Sequence, residues 1–326
     1  MRALVCKEIG PTDKLVIEEQ PDPVAGPGEV LVEVRAAGIN FPDILVIQGL
    51  YQVKLEPPFI PGNEAAGIVS AVGEGVSQYK PGDRVIIMPE GAAFAELCAV
   101  PVERVIPFPD CLGFEQAAGF TITYGTSYHA LKQAAKVQAG ETVLVLGAAG
   151  GVGITAVEIA KAMGARVIAA ASSDEKLEFA RSAGADETIN YSEESLKDRV
   201  KTLTNGKGVD VVYDPVGGDL AQQALRALAW HGRYLVIGFA SGDIPAFPAN
   251  IALLKEASIM GIWWGTWLKK HPAESAQNMK ELFGMVAKGV LTPRVTESWP
   301  LENYAEAFAS ITNRTARGKV ILTFAD

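Results

Sequence analysis

A glycine-rich turn between an apolar run and a helical pattern is the feature that most constrains this chain. Residues 142–146 read Thr-Val-Leu-Val-Leu, and residues 147–153 read Gly-Ala-Ala-Gly-Gly-Val-Gly. The apolar run predicts a strand buried on both faces. Glycines let the backbone turn sharply and approach a pyrophosphate, whose charge the N-terminus of the following helix stabilises. We expect a dinucleotide site here; the alternative is a tight turn whose glycines serve packing alone.

Strand and helix patterns alternate from about Thr123 onward. The predicted strands are 142–146, 166–171, 187–190, 209–213 and 233–237, and the predicted helices between them are 153–163, 175–183, 193–203 and 220–229. Repeated βαβ units predict a parallel, doubly wound sheet. Residues 1–122 instead show short apolar runs broken by Pro and Gly, typical of a β-rich, barrel-like unit. Helices 272–288 and 302–311 and a strand at 319–324 are expected to return to that first domain.

The end of the second predicted strand indicates which nicotinamide cofactor is used. Residues 170–176 read Ala-Ala-Ser-Ser-Asp-Glu-Lys, with no acid at the strand end. A carboxylate there would accept the ribose hydroxyls of NADH, whereas the 2′-phosphate of NADPH needs donors and positive charge. NADPH is therefore favoured, with Ser172 and Lys176 as its partners. Ser172 and Glu175 also fit a capping box that starts the next helix.

Motifs along almost the whole chain resemble those of one enzyme family. They are Asn-Phe-Pro-Asp at 40–43, Gln-Gly-Leu-Tyr at 48–51, Pro-Gly-Asn-Glu-Ala-Ala-Gly at 61–67, Pro-Gly-Asp-Arg-Val at 81–85 and the glycine turn. In this order the chain resembles the zinc-independent quinone oxidoreductases of the medium-chain dehydrogenase/reductase superfamily. The resemblance implies an α/β protein with a GroES-like catalytic domain (1–122 and 266–326), a Rossmann domain (123–265) and an active site in the cleft between them.

The resemblance also implies cofactor-binding positions. Ser172, Lys176 and Tyr191 match residues around the 2′-phosphate. The alternative is that Lys176 is a solvated helix lysine and Tyr191 a half-buried loop aromatic. The other matching positions line the pyrophosphate and ribose (Thr126, Gly150, Gly151, Val152), approach the nicotinamide (Asn40, Val216, Phe239, Ala240) or close the site from the C-terminal segment (Asn313, Arg317).

Two asparagines stand where zinc-dependent alcohol dehydrogenases of the superfamily keep a cysteine and a histidine. These residues are Asn40 and Asn63. Thiolate and imidazole are ligands that zinc prefers, and an amide oxygen is a poor substitute. The three histidines, His129, His231 and His271, are too scattered to rebuild a site. We therefore predict no metal and exclude zinc-assisted alcohol oxidation.

Without a metal, such a pocket can place a conjugated acceptor against the nicotinamide by proximity and orientation. Hydride addition to a quinone or an α,β-unsaturated carbonyl creates an anion, which Tyr51 or Asn40 could stabilise as a hydrogen-bond donor. Tyr51 stands where related enoyl reductases have their proposed proton donor, so it could also protonate the product; water is the alternative. Tyr51 and Asn40 could also merely shape the cleft.

The aromatic segment 262–267, Ile-Trp-Trp-Gly-Thr-Trp, has two interpretations. It could line a planar acceptor, or it could form a dimer or interdomain contact. The resemblance implies a homodimer that pairs the edges of two Rossmann sheets around 258–262; a tetramer stays open.

Composition excludes several functional classes. The net charge is −9, from 29 basic and 38 acidic residues, which disfavours nucleic acid and anionic membranes as partners. The three cysteines share no C-x-x-C spacing, so we expect no disulfide framework. The N-terminal residues lack the apolar run of a secretory signal, which favours a cytoplasmic location.

Three functions remain in competition. The first is an NADPH-dependent reductase of small-molecule quinones or enones. The second is an enoyl-thioester reductase in which Tyr51 protonates the product. The third, from another class, is a non-catalytic NADPH-binding structural or regulatory protein, because relatives of this fold serve as lens crystallins and RNA-binding proteins.

Overall fold

The computed structural model of the protein describes residues 1–324, which divide into two compact units. The first combines residues 1–122 with the chain from Pro293 onward, and the second is Thr123–Thr292. The strands, in chain order, are β1 Arg2–Val5, β2 Val16–Glu19, β3 Glu29–Ile39, β4 Ala65–Val72, β5 Arg84–Ile87, β6 Leu97–Pro101, β7 Val105–Pro107, β8 Thr142–Leu146, β9 Arg166–Ala171, β10 Glu187–Asn190, β11 Val209–Asp214, β12 Leu228–Val236, β13 Ser258–Gly261, β14 Val295–Pro300 and β15 Lys319–Thr323.

The helices are between 5 and 16 residues long. They are α1 Phe41–Ile47, α2 Phe114–Ala118, α3 Thr121–His129, α4 Gly151–Ala162, α5 Asp174–Ser182, α6 Leu196–Leu203, α7 Gly218–Ala227, α8 Ala249–Lys255, α9 Trp264–Lys270, α10 Pro272–Ala287 and α11 Tyr304–Thr312. Among residues 1–324, no helix is long and apolar enough to cross a membrane.

The first unit is built on a mostly antiparallel seven-stranded sheet that packs on an apolar core. Its strand order is β14-β15-β3-β4-β5-β7, with β6 also paired to β3, and only the β14–β15 pair is parallel. Along β3 the side chains alternate between partly exposed and buried as far as Ala36, which is the period of two expected of a strand with one buried face. The β-rich, GroES-like prediction is confirmed.

The second unit carries a six-stranded parallel sheet in the order β10-β9-β8-β11-β12-β13. Strand β8 is buried along four of its five residues, because helices cover both faces of such a sheet. The strand order reverses between β8 and β11, which are neighbours although β9 and β10 intervene in the chain. The predicted doubly wound Rossmann sheet is confirmed, and this reversal is where such sheets bind ligands.

One expected boundary differs from the structure. The prediction that helix 272–288 packs on the first domain is wrong, because α10 lies in the second unit, which extends to Thr292 and not to 265. Asn278 and Glu281 on α10 accept hydrogen bonds from Lys132, at 3.1 and 2.5 Å. Tyr128 also donates to Glu281, at 2.6 Å. The residues in these contacts lie far apart in the sequence, so the helical pattern of α10 does not predict them.

Candidate functional site

The glycine turn has a backbone that only glycine allows at two positions. Gly147 has a φ of +55°, and a Cβ at Gly153 would lie 2.2 Å from the Gly147 carbonyl oxygen. Gly150 is the N-cap of α4, a helix of 12 residues. The first N–H groups of such a helix have no carbonyl partner within it, and the helix dipole favours an anion beside them. The turn therefore has the backbone that a dinucleotide pyrophosphate requires, with Gly150, Gly151 and Val152 at its centre.

Helix α3 lies beside the beginning of α4. The Ser127 hydroxyl contacts the Val152 carbonyl oxygen at 3.0 Å and the Tyr213 hydroxyl at 2.8 Å. Thr126 is the neighbour of Ser127 and is half-buried. The structure thus brings α3, which carries Thr126, next to the turn that holds Val152.

A buried carboxylate shapes the loop that faces the glycine turn. Asp214 ends β11, and its Oδ1 accepts the backbone N–H groups of Val216 and Gly217 at 2.7 and 2.9 Å. Its other oxygen accepts the Tyr234 hydroxyl. Burial raises the pKa of the Asp214 carboxyl, and these hydrogen bonds oppose the rise. Asp214 did not emerge from the sequence analysis, although an acid directly after an apolar strand was a usable signal.

The predicted nicotinamide residues of the second unit come together around that loop. A Cβ at Gly147 would lie 2.9 Å from the Val216 side chain. The Ala240 N–H donates to the Pro215 carbonyl oxygen at 3.0 Å, and the Phe239 ring lies near Gly217. Val216, Phe239 and Ala240 therefore lie together beside the strand-order reversal.

The residues expected around a 2′-phosphate also cluster, at the end of β9. The Lys176 ammonium donates to the Ser172 hydroxyl at 3.3 Å, and the Tyr191 N–H donates to the Ala171 carbonyl oxygen at 3.1 Å. The suggested capping box of Ser172 and Glu175 is wrong by one residue. Ser173 is the N-cap of α5 and accepts the Lys176 backbone N–H, so the Ser172 hydroxyl has no capping role.

In the first unit, Asn40 begins a network of buried polar groups. It lies between β3 and α1 and is 7% exposed. Its N–H donates to Asp43 at 2.7 Å, and Asn63 donates to the other oxygen of Asp43 at 2.6 Å. Burial raises the pKa of the Asp43 carboxyl to about 6, against the opposing effect of these two donors.

The side-chain amide of Asn40 is held by two buried ionic groups. Its Oδ1 accepts from the Lys319 ammonium at 2.6 Å, and its Nδ2 donates to Glu64 Oε1 at 2.8 Å. Lys319 and Glu64 also pair directly, at 2.7 Å. The other oxygen of Glu64 accepts from Thr121 and from the Ile122 N–H. The sequence analysis identified neither Glu64 nor Lys319 as a site residue. Glu64 lies inside the Pro-Gly-Asn-Glu-Ala-Ala-Gly motif, and Lys319 begins the mainly apolar strand β15.

The remaining predicted residues of the first unit lie on loops. Tyr51 is half-buried after α1, and its N–H donates to the Leu45 carbonyl oxygen at 3.2 Å. Its neighbour Leu50 is 68% exposed. Asn313 is exposed at the end of α11, and Arg317 is half-buried in the turn before β15.

The residues at the zinc-ligand positions do not fit a zinc ion. Asn40 presents an amide oxygen that already accepts from an ammonium group, and the Asn63 amide donates to Asp43. A second cation beside Lys319 would be repelled. Within residues 1–324, no group of three or more His, Cys, Asp or Glu side chains could hold a metal ion.

The histidines and tryptophans of the second unit pack on one another. His129 stacks on Trp267 with ring centroids 4.2 Å apart, and His271 stacks on the same indole at 5.4 Å. Trp264 is buried against Gly125, whereas Trp263 is 52% exposed. The aromatic segment thus contributes mainly to packing within its own unit.

Comparison with known proteins places the chain in a family. An alcohol dehydrogenase GroES-like domain model matches residues 26–110, and a zinc-binding dehydrogenase model matches residues 151–283. The quinone oxidoreductase-like protein 2 of Bos taurus is 42% identical over 324 residues, covering 99% of this chain and 92% of that protein. The quinone oxidoreductase of Rattus norvegicus is 34% identical, covering 99% and 97%.

Solved structures agree with this relationship. The quinone oxidoreductase of Escherichia coli complexed with NADPH superposes with a TM-score of 0.93 at 32% identity, covering 99% of this chain and all of that chain. The CurK enoyl reductase superposes with a TM-score of 0.89 at 30% identity, covering 99% of both chains. The protein is therefore an oxidoreductase of the zinc-independent quinone oxidoreductase family, within the medium-chain dehydrogenase/reductase superfamily.

Proposed function

We propose that the protein is an NADPH-dependent reductase that transfers a hydride to quinones or related α,β-unsaturated carbonyls without a metal. One observation carries the cofactor part of this proposal. The glycine turn follows β8 at the strand-order reversal. Ser172 directly follows the neighbouring strand β9 and accepts a hydrogen bond from Lys176, at the position where a carboxylate would favour NADH. The relative of known structure that is complexed with NADPH supports the same cofactor.

The residues proposed to hold NADPH follow from their places in the two units. Thr126, Gly150, Gly151 and Val152 would bind the pyrophosphate and ribose, and Ser172, Lys176 and Tyr191 would bind the 2′-phosphate. Asn40, Val216, Phe239 and Ala240 would approach the nicotinamide. Asn313 or Arg317 would close the site from the C-terminal segment. The Lys176 ammonium supplies the positive charge that separates NADPH from NADH, since only NADPH carries the 2′-phosphate.

The cofactor supplies one hydride, and the protein has to accommodate the negative charge that appears on the acceptor. A quinone that gains a hydride and a proton becomes a hydroquinone, and an enone becomes a saturated carbonyl. Tyr51 would stabilise the anion as a donor and then protonate it, or water would supply the proton. Relatives named quinone oxidoreductase support a quinone as the acceptor.

A second candidate is reduction of an enoyl thioester. The similarity to the CurK enoyl reductase favours it, and Tyr51 occupies the position of the proposed proton donor. An enolate is more basic than a hydroquinone anion, so this reaction depends more on a proton donor. Loss of the Tyr51 hydroxyl would therefore separate the two candidates.

A homodimer through the edge of the parallel sheet is also part of the proposal. Strand β13 ends the sheet and pairs only with β12 among the described strands. Apolar side chains are exposed on and near it, with Ile259 at 38%, Trp263 at 52% and Leu253 at 76%. An open strand edge with exposed apolar neighbours is suited to pairing with a second copy. Sedimentation equilibrium would measure the mass, and Ile259→Asp is expected to favour the monomer.

The test is consumption of NADPH or NADH with benzoquinone, an ortho-quinone, an enone and crotonyl thioester. We expect NADPH-selective turnover of the quinones, with stoichiometric oxidation of the cofactor. Thioester turnover that is lost in Tyr51→Phe would establish the second candidate. Tight NADPH binding without turnover of any acceptor would instead indicate the non-catalytic alternative.

A further inference from the structure

The Lys319 ammonium has three polar partners inside the first unit. Nζ donates to the Ile39 carbonyl oxygen at 2.9 Å and to Asn40 Oδ1 at 2.6 Å, and it forms an ion pair with Glu64 Oε1 at 2.7 Å. Two of the three ammonium hydrogens are therefore used in these hydrogen bonds, and Glu64 balances the charge. The Lys319 side chain is 7% exposed and that of Glu64 is fully buried. A buried charge of this kind is costly unless it is paired and hydrogen-bonded.

The surrounding backbone leaves room for this ion pair. A Cβ at Gly38 would lie 2.8 Å from Glu64 Oε1 and 2.9 Å from Lys319 Cε. A Cβ at Gly119 would lie 2.4 Å from Lys319 Cγ. Two glycines from distant parts of the chain therefore form the space through which the lysine side chain reaches Asn40.

We propose that Lys319 is a positioning residue that fixes the side-chain amide of Asn40, and that its ammonium is an internal cation beside the position where zinc-dependent relatives keep a metal ligand. The amide orientation is unique, because an ammonium must face the oxygen and a carboxylate must face the nitrogen. A reversed amide would place its NH₂ group against the Lys319 ammonium, which is also a donor, and its oxygen against the Glu64 carboxylate, which is also an acceptor.

The arrangement also determines what Asn40 can offer to another molecule. Its oxygen is used by Lys319, and one Nδ2 hydrogen is used by Glu64. The contact from Nδ2 to the Gly38 carbonyl oxygen is longer, at 3.3 Å. The hydrogen in this weaker contact is the one that an anionic acceptor could recruit. Because the oxygen already accepts from a cation, the amide is polarised and donates more strongly.

The first test measures the amide itself and needs no turnover. The chain has eight asparagines, so selective ¹⁵N labelling of asparagine gives a small set of side-chain NH₂ signals. The Asn40 pair of signals is identified by its absence from the spectrum of Asn40→Ala. We expect this pair to exchange slowly with solvent, and to exchange at least about tenfold faster in Lys319→Met/Glu64→Gln than in the wild type. Equal exchange in the double variant and the wild type would overturn the proposal.

The double substitution is chosen because Lys319→Met alone leaves the Glu64 carboxylate without its cation and could prevent folding. Glu64→Gln removes that charge and keeps an oxygen for the Asn40 amide. Lys288→Met, on an exposed helix end, is the matched control and should leave the Asn40 signals unchanged. Signals that move equally in the control would also contradict the assignment.

The second test rests on the proposed reductase function. We expect kcat to fall by about 10²-fold in Lys319→Met/Glu64→Gln, with the KM for NADPH changed by less than about threefold. The triple variant Lys319→Met/Glu64→Gln/Asn40→Ala should have the same kcat as Asn40→Ala alone, because both sets of changes remove the same oriented donor. Multiplicative losses would show that Lys319 does not act through Asn40.

The two proposals fail in different ways. A wild-type protein that turns over no acceptor would contradict the proposed function and leave the exchange comparison valid. A wild-type protein that reduces quinones, with an Asn40 amide indifferent to Lys319, would contradict only the positioning role.

Discussion

The two units carry their candidate binding residues in different ways. In the second unit the glycine turn between β8 and α4 is made of consecutive residues, and its backbone provides the binding groups. In the first unit the Asn40 amide is held by Lys319, which lies 279 positions away in the sequence. A site made of local backbone tolerates changes elsewhere in the chain, whereas a network of buried side chains depends on each member. Substitutions should therefore have different consequences in the two units.

The largest expected effect is the loss of the internal cation. Lys319→Met leaves Glu64 as an unpaired buried carboxylate, which should cost about 3–5 kcal/mol of the free energy of unfolding. Lys319→Met/Glu64→Gln should recover most of that loss. Urea denaturation measures both variants. If the single variant were as stable as the wild type, the first unit would not depend on this pair.

Gly153→Ala tests the backbone site of the second unit. The added methyl group would lie 2.2 Å from the Gly147 carbonyl oxygen, so the turn must shift. We expect NADPH affinity, measured by cofactor fluorescence, to fall by about 10²-fold, which corresponds to about 2.7 kcal/mol. Gly265→Ala, where a Cβ meets open space, should bind normally. An unchanged affinity in Gly153→Ala would remove the turn from the cofactor site.

The pH dependence of stability tests Asp43 in the first unit. Its pKa in the folded protein is about 6, above the unfolded value of about 3.9. Its protonated form is therefore the one that the fold favours, and stability is lost as the pH rises from about 4 to about 6, by roughly 3 kcal/mol. Asp43→Asn should weaken this dependence in urea denaturation at several pH values. The same slope in the variant would assign it to another group.

The smallest expected effect concerns the choice of cofactor. Lys176→Ala should weaken NADPH binding by about tenfold, or about 1.4 kcal/mol, and should change NADH binding little, because only NADPH has a 2′-phosphate. Titration of both cofactors measures this difference, with the exposed Lys201→Ala as control. Equal losses for both cofactors would show that Lys176 does not contact the phosphate.

Much of the second unit was predictable from local patterns. Strands β8, β9 and β10 have the predicted ends. In β8 and β9, an apolar run with polar or glycine residues at its borders specifies where a buried strand begins and stops. The position of α10 was not predictable in the same way. Its amphipathic pattern predicts a helix with one buried face, and the pattern is the same whichever surface that face covers.

The sequence by itself determined the two fold types, the glycine turn and the absence of an acid at the end of β9. All of these depend on residues that are near one another in the chain, so local conformation and periodicity express them. Only the tertiary structure decided that Lys319 meets Asn40 and Glu64, and that α10 belongs to the second unit. These contacts join distant segments, and their energy comes from burial and charge pairing that exist only after the chain has folded.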